Sequence, residues 1–389
     1  MNSNVDSIKG VIFGQAIGDA LGLATEYMTK EQVTQNYPNI DIFTFSDIIQ
    51  DYHRKTWKQG DWTDDTDQMI IIIKSIIEAN KVDPIIFAKH FDNLLQHGLP
   101  ECEDTKCYGP GDTANMWWGD DYSLINPQLA AIRTNIYSPY YPMNNCSPGA
   151  IMRTAILGTY EHADYVKVVT NAIKIASATH SSPKSVYSAM IVSYLVARII
   201  NDKINNVTID IYWIREIISD SINFTKDYLN EYFNKICLEI EKIKISPPNI
   251  SDPYDNVLKE NITKYYSDFI KENTPEKIIK EVENLQYVWN IELLELDKNS
   301  QHTFKQLGCV FWALNQFGNG NDNSNNYHEI ISRIIKEGGD ADTNCAVVGG
   351  VIGALVGYVN LPDKLKSSMA YFSVLESITN SYLEICLSN

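Results

Sequence analysis

The sequence predicts an all-α protein, and three observations predict it. Glycines at positions 10, 14, 18 and 22 recur every four residues. A second four-residue series runs Cys345, Gly349, Gly353 and Gly357, and strand-like alternation bounded by tight hairpin turns is hard to find. A four-residue period is helical because residues i and i+4 lie one above the other on a helix face. Glycine inside a helix costs roughly 0.5–1 kcal/mol relative to alanine, so two glycine-faced helices ask for a packing reason: each lets another helix approach closely.

In chain order, the first helix is expected over Asp6 to Leu23. Met69 to Ala79 has the β-propensity of its isoleucines, but its length and its lysine, glutamate and alanine favour a deeply buried helix. Ser185 to Ile200 has the same character. Residues 201–300 are rich in Lys, Glu, Asn and Ile and are broken at Ser246-Pro247-Pro248-Asn249 and at Asn273-Thr274-Pro275-Glu276. Prolines end helices and charge marks solvated faces, so this stretch is expected to form peripheral helices joined by exposed turns, an insertion or subdomain within one domain spanning 1–389. Asn319 to Asn326 is expected to be a surface loop before a helix from Tyr327 to Lys336. The apolar run from Cys345 to Val359 falls short of the roughly 20 residues that span a bilayer and reads as a buried helix.

Composition narrows the function classes. At 389 residues, 44% apolar and 21% charged, the chain can bury a large core and is unlike a disordered protein. A formal charge of −17, from 32 basic and 49 acidic residues, argues against nonspecific capture of nucleic acid, which rests on Lys and Arg neutralising phosphates. The N-terminus, Met-Asn-Ser-Asn-Val-Asp, carries no basic stretch followed by an apolar run, so an intracellular, cytoplasmic protein is expected. Seven cysteines without a CxxC pair fit free thiols in a reducing compartment and speak against a zinc site.

Two acidic motifs stand out. Gly60-Asp-Trp-Thr63-Asp64-Asp65-Thr66-Asp67 opens the isoleucine-rich helix, and Gly338-Gly-Asp340-Ala-Asp342-Thr343 opens the second glycine-faced one. Each alone is explained by helix capping, where Asp and Thr accept from free amides and complement the dipole. Together they put acids at the mouths of two helices too apolar for the surface. Carboxylates converging near a core repel one another unless protons or cations neutralise them. Oxygen-only donors select hard ions, magnesium or manganese before zinc or copper, and two such ions sharing these groups suit a site that activates water.

The segments Gly14-Gln-Ala-Ile-Gly18-Asp19-Ala-Leu-Gly22-Leu-Ala-Thr-Glu26, Trp62-Thr63-Asp64-Asp65-Thr66 and Gly338-Gly-Asp-Ala-Asp-Thr-Asn-Cys-Ala346, in that order, resemble the ADP-ribosylglycohydrolase family, which includes dinitrogenase reductase-activating glycohydrolase. The resemblance covers about 8–75, 105–200 and 305–358. It implies an all-α fold, a helical orthogonal bundle, around a dinuclear centre of two Mg2+ or Mn2+, with Thr63, Asp64, Asp65, Asp340, Asp342 and Thr343 as ligands. It implies hydrolysis that releases ADP-ribose from an ADP-ribosylated protein or other conjugate, with Asp64 and Asp65 orienting the attacking water and Glu26 handling a proton. Gly109, Gly111 and Thr113, and the loop carrying Ser147, Gly149, Met152 and Arg153, look like the cradle for diphosphate and ribose; His180 looks like the histidine beside the substrate. The chain departs from the family where Pro148-Gly149 replaces a frequent Asn-Gly, removing a side-chain amide from the sugar cradle. Ala341 replaces a frequent threonine between two ligand acids, and Ser-Ser follows His180. The alternative is a relative that binds ADP-ribose, or is purely structural, without turnover. Another metal-dependent phosphohydrolase is a further rival, against which no HD pair, P-loop or GxSxG is found.

Overall fold

In the computed structural model, residues 2–137, 146–245, 255–298, 300–318 and 326–388 are described, and among them there are sixteen α-helices and no strand. The first six are α1 (Ser3–Gly22), α2 (Lys30–Asn36), α3 (Asp64–Ala79), α4 (Pro84–His97), α5 (Gly111–Trp118) and α6 (Pro127–Tyr137). The middle of the chain forms α7 (Tyr165–Ser177), α8 (Pro183–Ile204), α9 (Ile211–Ile245), α10 (Asp255–Glu272) and α11 (Pro275–Leu285). The last five are α12 (Thr303–Gly318), α13 (Asn326–Ile335), α14 (Ala341–Val356), α15 (Asp363–Ser368) and α16 (Phe372–Ser388).

The glycine series explains the centre of the bundle. A Cβ on Gly10, Gly14, Gly18 or Gly22 would come within 2.1, 2.3, 2.1 and 2.3 Å of the carbonyl oxygens of Gly353, Gly349, Cys345 and Ala341. Backbone meets backbone there, and only glycine leaves the room. As one index rises by four its partner falls by four, so α1 and α14 run antiparallel. The C-terminal end of α1 is thereby delivered to the N-terminal end of α14. Gly357 differs from the expectation: it lies just past α14 at φ +82°, where it terminates the helix instead of extending its face.

Both hydrophobic runs are helices buried along most of their length: α3 buries the isoleucines at 70–73 and 76, and α8 buries nearly all of 185–200. Their apolar residues have nothing to expose, which is why helix length and not alternation identified them. In the 201–300 segment, α9 buries Ile214, Ile217, Ile218, Leu229, Ile236 and Ile240 within the same continuous core as α1 and α14. The break at 273–276 falls between α10 and α11, with Pro275 opening the latter. The break at 246–249 and residues 319–325 of the expected surface loop lie outside the described residues. No helix among the described residues is long and apolar enough to cross a membrane.

Candidate metal centre

Antiparallel α1 and α14 bring the two acidic motifs into one place. Thr63 Oγ1 lies 3.4 Å from Asp342 Oδ2 across 279 positions of sequence, and Thr343 Oγ1 lies 3.5 Å from Asp65 Oδ2. Carboxylate oxygens of Asp19, Asp65 and Asp342 all fall within 4.8 Å of one another, and all three residues are buried.

Capping does not account for these acids. Thr63 Oγ1 accepts from the Asp65 amide at 3.5 Å, and the rest of the first turn of α3 is capped from α1: Asp19 Oδ1 accepts from the amide and hydroxyl of Thr63 at 3.0 and 2.9 Å, and Oδ2 from the amide and hydroxyl of Thr66 at 3.0 and 2.6 Å. With the cap supplied by Thr63 and Asp19, the acids of α3 are left over. Asp65 Oδ2 lies 3.1 Å from Thr63 Oγ1, whose single proton goes to the nearer Asp19, while Asp65 Oδ1 is buried without a partner, and so is Asp342 Oδ1. Leaving a buried anionic oxygen without a donor costs several kcal/mol, on the order of the penalty for a buried unpaired charge. A cation between them removes that penalty, so the donor set fits a hard metal ion. At α14, Asp340 makes no bond to its own helix amides; its oxygens accept from Gln306 Nε2 at 3.1 Å and Thr343 Oγ1 at 3.2 Å.

The electrostatics agree. Burial first, and then the charges of Asp19 and Glu26, push Asp64 well above the usual carboxylate range; burial with Asp19 and Asp64 does the same to Asp65, and burial with Glu26 and Asp65 to Asp342. Asp340 is pushed up to about 7 by burial and Glu26. Asp19 reaches about 6, because its four hydrogen bonds oppose the effect of burial. Such a cluster holds protons unless a cation takes their place.

A cavity of about 300 Å³ opens beside the cluster, at the lower end of the roughly 300–1,000 Å³ of small-molecule pockets. Its acidic wall is Asp64, Asp65, Asp340, Asp342 and Thr343, with Glu26 and Tyr27 at one side. Thr63 is packed behind that wall. The lining also includes Gly109, Gly111 and Thr113 at the start of α5, and Ser147, Gly149, Met152, Arg153 and His180. Every other residue assigned to the site from the sequence lines this one cavity.

Local structure explains several of those places. Gly109 and Gly111 sit at φ +78° and +74°, which glycine adopts without strain, and a Cβ on Gly109 would be 3.3 Å from Asp64 Oδ1. A Cβ on Gly149 would lie 2.8–2.9 Å from the His180 ring, so the loop can close over that ring only with glycine. His180 is buried, with Nδ1 2.7 Å from Thr179 Oγ1 and Nε2 2.9 Å from Ser147 Oγ; burial and the nearby Arg153 charge lower it to about 3, which keeps the imidazole neutral. The Arg153 guanidinium is fully buried at the back of the cavity.

Residues without a role in the sequence reading complete the site. Asp19 was visible as the lone acid within a glycine stripe, a signal that something polar lies beside α1. Gln15 donates to the carbonyls of Asp65 and Met152 at 3.1 and 3.0 Å, tying α3 to the 151–153 turn. Arg54 donates to the carbonyls of Leu23, Ala24 and Glu26, fixing the segment that carries Glu26, whose carboxylate is 2.6 Å from His53 Nε2. No periodicity marks these last three, because each acts across a long sequence separation.

A family model described as ADP-ribosylglycohydrolase matches residues 1–388, including the 201–300 stretch that the motifs leave uncovered. Among curated proteins, an ADP-ribosylarginine hydrolase of Serratia proteamaculans is 21% identical over 379 residues, 94% of this chain and 76% of that protein. A protein of Archaeoglobus fulgidus is 22% identical over 386 residues, covering 98% and 97% of the two chains. A solved ADP-ribosylglycohydrolase-related protein complex superposes with a TM-score of 0.58 at 17% identity, over 99% of this chain and all of that one, which shows the shared all-α fold. The chain belongs to the ADP-ribosylglycohydrolase family.

Proposed function

We propose that the protein is a metal-dependent hydrolase that releases ADP-ribose from an ADP-ribosylated protein or another ADP-ribose conjugate. The observation that carries this reading is the pair of buried, partnerless oxygens, Asp65 Oδ1 and Asp342 Oδ1, on residues that line a cavity together with Gly109, Gly111 and Gly149. Thr63, Asp64, Asp65, Asp340, Asp342 and Thr343 would hold two Mg2+ or Mn2+. Such ions, when bound, neutralise the carboxylates, grip ribose hydroxyls and bring the pKa of water toward neutrality.

The chain's own residues do the rest. Gly109 and Gly111, whose positive φ only glycine adopts without strain, let the backbone approach the diphosphate, and Thr113 lines the same stretch of the cavity. Ser147, Gly149, Met152, Arg153 and the neutral His180 form the side of the cavity that faces the sugar. Asp64 and Asp65 orient a water toward the anomeric carbon. The new carbon–oxygen bond forms as the bond to the leaving group breaks; the water's proton passes to a carboxylate, and Glu26 returns one to the departing group. The arginine conjugate is the first substrate to try, given the activity named for the Serratia relative.

The test is ADP-ribose release from arginine-, serine- and nucleic-acid-linked conjugates and from O-acetyl-ADP-ribose, with and without EDTA. Release that stops with EDTA, returns with Mg2+ or Mn2+ and is abolished in a folded Asp64→Asn variant is expected. Activity indifferent to chelation overturns the metal reading. Binding of ADP-ribose with no turnover of any conjugate makes the protein a non-catalytic reader.

A further inference from the structure

The guanidinium of Arg153 gives all of its hydrogen bonds among the described residues to neutral acceptors. Nη1 donates to Gln68 Oε1 at 2.6 Å, and Nη2 donates to Thr179 Oγ1 at 2.6 Å and to the Ile175 carbonyl at 3.2 Å. Its plane lies over the rings of Phe87 and Phe91, 4.9 and 5.5 Å from their centroids, and Nε is buried without a partner. Burial lowers its pKa to about 9, which leaves it charged at neutral pH.

An arginine side chain offers donors only. Whatever touches it must accept, and that constraint propagates. Gln68 must turn its carbonyl oxygen to Arg153, so its amide nitrogen faces the other way, where it donates to Asp64 Oδ2 at 2.7 Å. Thr179 Oγ1 must accept from Nη2, so its own proton is left to donate, and His180 Nδ1 stands 2.7 Å away. A neutral imidazole carries one proton; with Nδ1 accepting, that proton sits on Nε2, 2.9 Å from Ser147 Oγ.

We propose that Arg153 is a positioning residue that sets the hydrogen-bond polarity of two groups lining the cavity, fixing Gln68 as the donor to Asp64 and His180 as the Nε2–H tautomer facing Ser147. The Gln68 arm rests on the reading of Asp64 as a metal ligand; the His180 arm does not. Gln68 is a glutamine because a glutamate would pair with Arg153 but set a second carboxylate against Asp64. Loss of a group that hydrogen-bonds a metal ligand typically changes metal affinity about 10–100-fold.

Two measurements test the arms separately. Nitrogen-15 long-range correlation spectra of histidine-labelled protein, with His180 assigned by the signal lost in a His180→Gln variant, report the tautomer directly. Wild type is expected to show Nε2–H, and Thr179→Val to lose that preference while Thr179→Ser keeps it. A wild-type Nδ1–H ring, or Nε2–H persisting unchanged in Thr179→Val, overturns the His180 arm. Titration with Mn2+ followed by electron paramagnetic resonance is expected to show about 10–100-fold weaker binding in Gln68→Met than in wild type, with helical content unchanged. Equal affinity overturns the Gln68 arm, and so does a wild type that binds no Mn2+, in which case the metal reading falls with it while the tautomer result stands. Arg153→Met should show both defects, but neither arm depends on that variant folding.

Discussion

Asp19 caps a helix to which it does not belong: its carboxylate, on α1, accepts from both the amide and the hydroxyl of Thr63 and of Thr66 at the start of α3. One side chain thereby ties α1 to the segment that carries Asp64 and Asp65. Asp19→Ala leaves buried donors unpaired, and a loss of at least about 2 kcal/mol in urea unfolding is expected. Weaker Mn2+ binding should accompany it, because Thr63 is no longer held. Stability and affinity both at wild-type values would show that Asp19 positions nothing.

Gly18 faces the Cys345 carbonyl at a distance no Cβ can occupy. Because both sides of the contact are backbone, nothing can swing aside. Gly18→Ala should therefore cost more than the about 1–3 kcal/mol usual for over-packing, and separate α1 from α14. Denaturation midpoint and soluble yield check this. Gly111→Ala is the control for space, since nothing lies within 4 Å of a Cβ there, although its positive φ still carries a smaller strain.

Gly149→Ala presses a methyl group onto the His180 ring, which is held at both nitrogens. The ring or the loop must yield by a few tenths of an ångström, at the cavity and away from the α1–α14 interface. ADP-ribose affinity is expected to fall by about tenfold or more with the melting temperature changed by only a few degrees, consistent with the sensitivity of reacting groups to small displacements. Calorimetric titration and thermal melts separate the two effects. Unchanged affinity would remove Gly149 from the sugar side of the site.

Asp19 and Asp340 reach about 6 and about 7 in the fold against an ordinary 3.8. Since the folded value is the higher, the unfolded chain releases these protons first. The stability they contribute is complete below about pH 3.8 and is lost as pH rises through about 6 to 7. Metal-free protein should lose stability over that window, and Asp340→Asn should lose less. Mg2+ competes only for the ionised acids, so its stabilising effect on the melting temperature should be larger near about pH 8 than near about pH 5. Metal-free wild type and Asp340→Asn with parallel pH dependence would contradict this.

The sequence by itself determined the helices and the acids. A four-residue glycine period and long isoleucine runs are local patterns, so α1, α3, α8 and α14 could be read without knowing their neighbours, and so could Thr63–Asp65 and Asp340–Thr343. What those acids do was not legible, because a capping carboxylate and a metal ligand look alike until their hydrogen bonds are known. Tertiary structure decided their surroundings: antiparallel packing of α1 on α14 brings residues 279 positions apart within 3.4 Å, and with Thr63 and Asp19 serving the cap of α3, Asp65 Oδ1 and Asp342 Oδ1 are left without partners. It also decided the place of Arg153. The sequence offered a cation beside a glycine loop; only the fold buries it against two phenylalanines and turns its donors toward Gln68 and Thr179. Hydrogen-bond polarity is a property of pairs, and these pairs form only when distant segments meet.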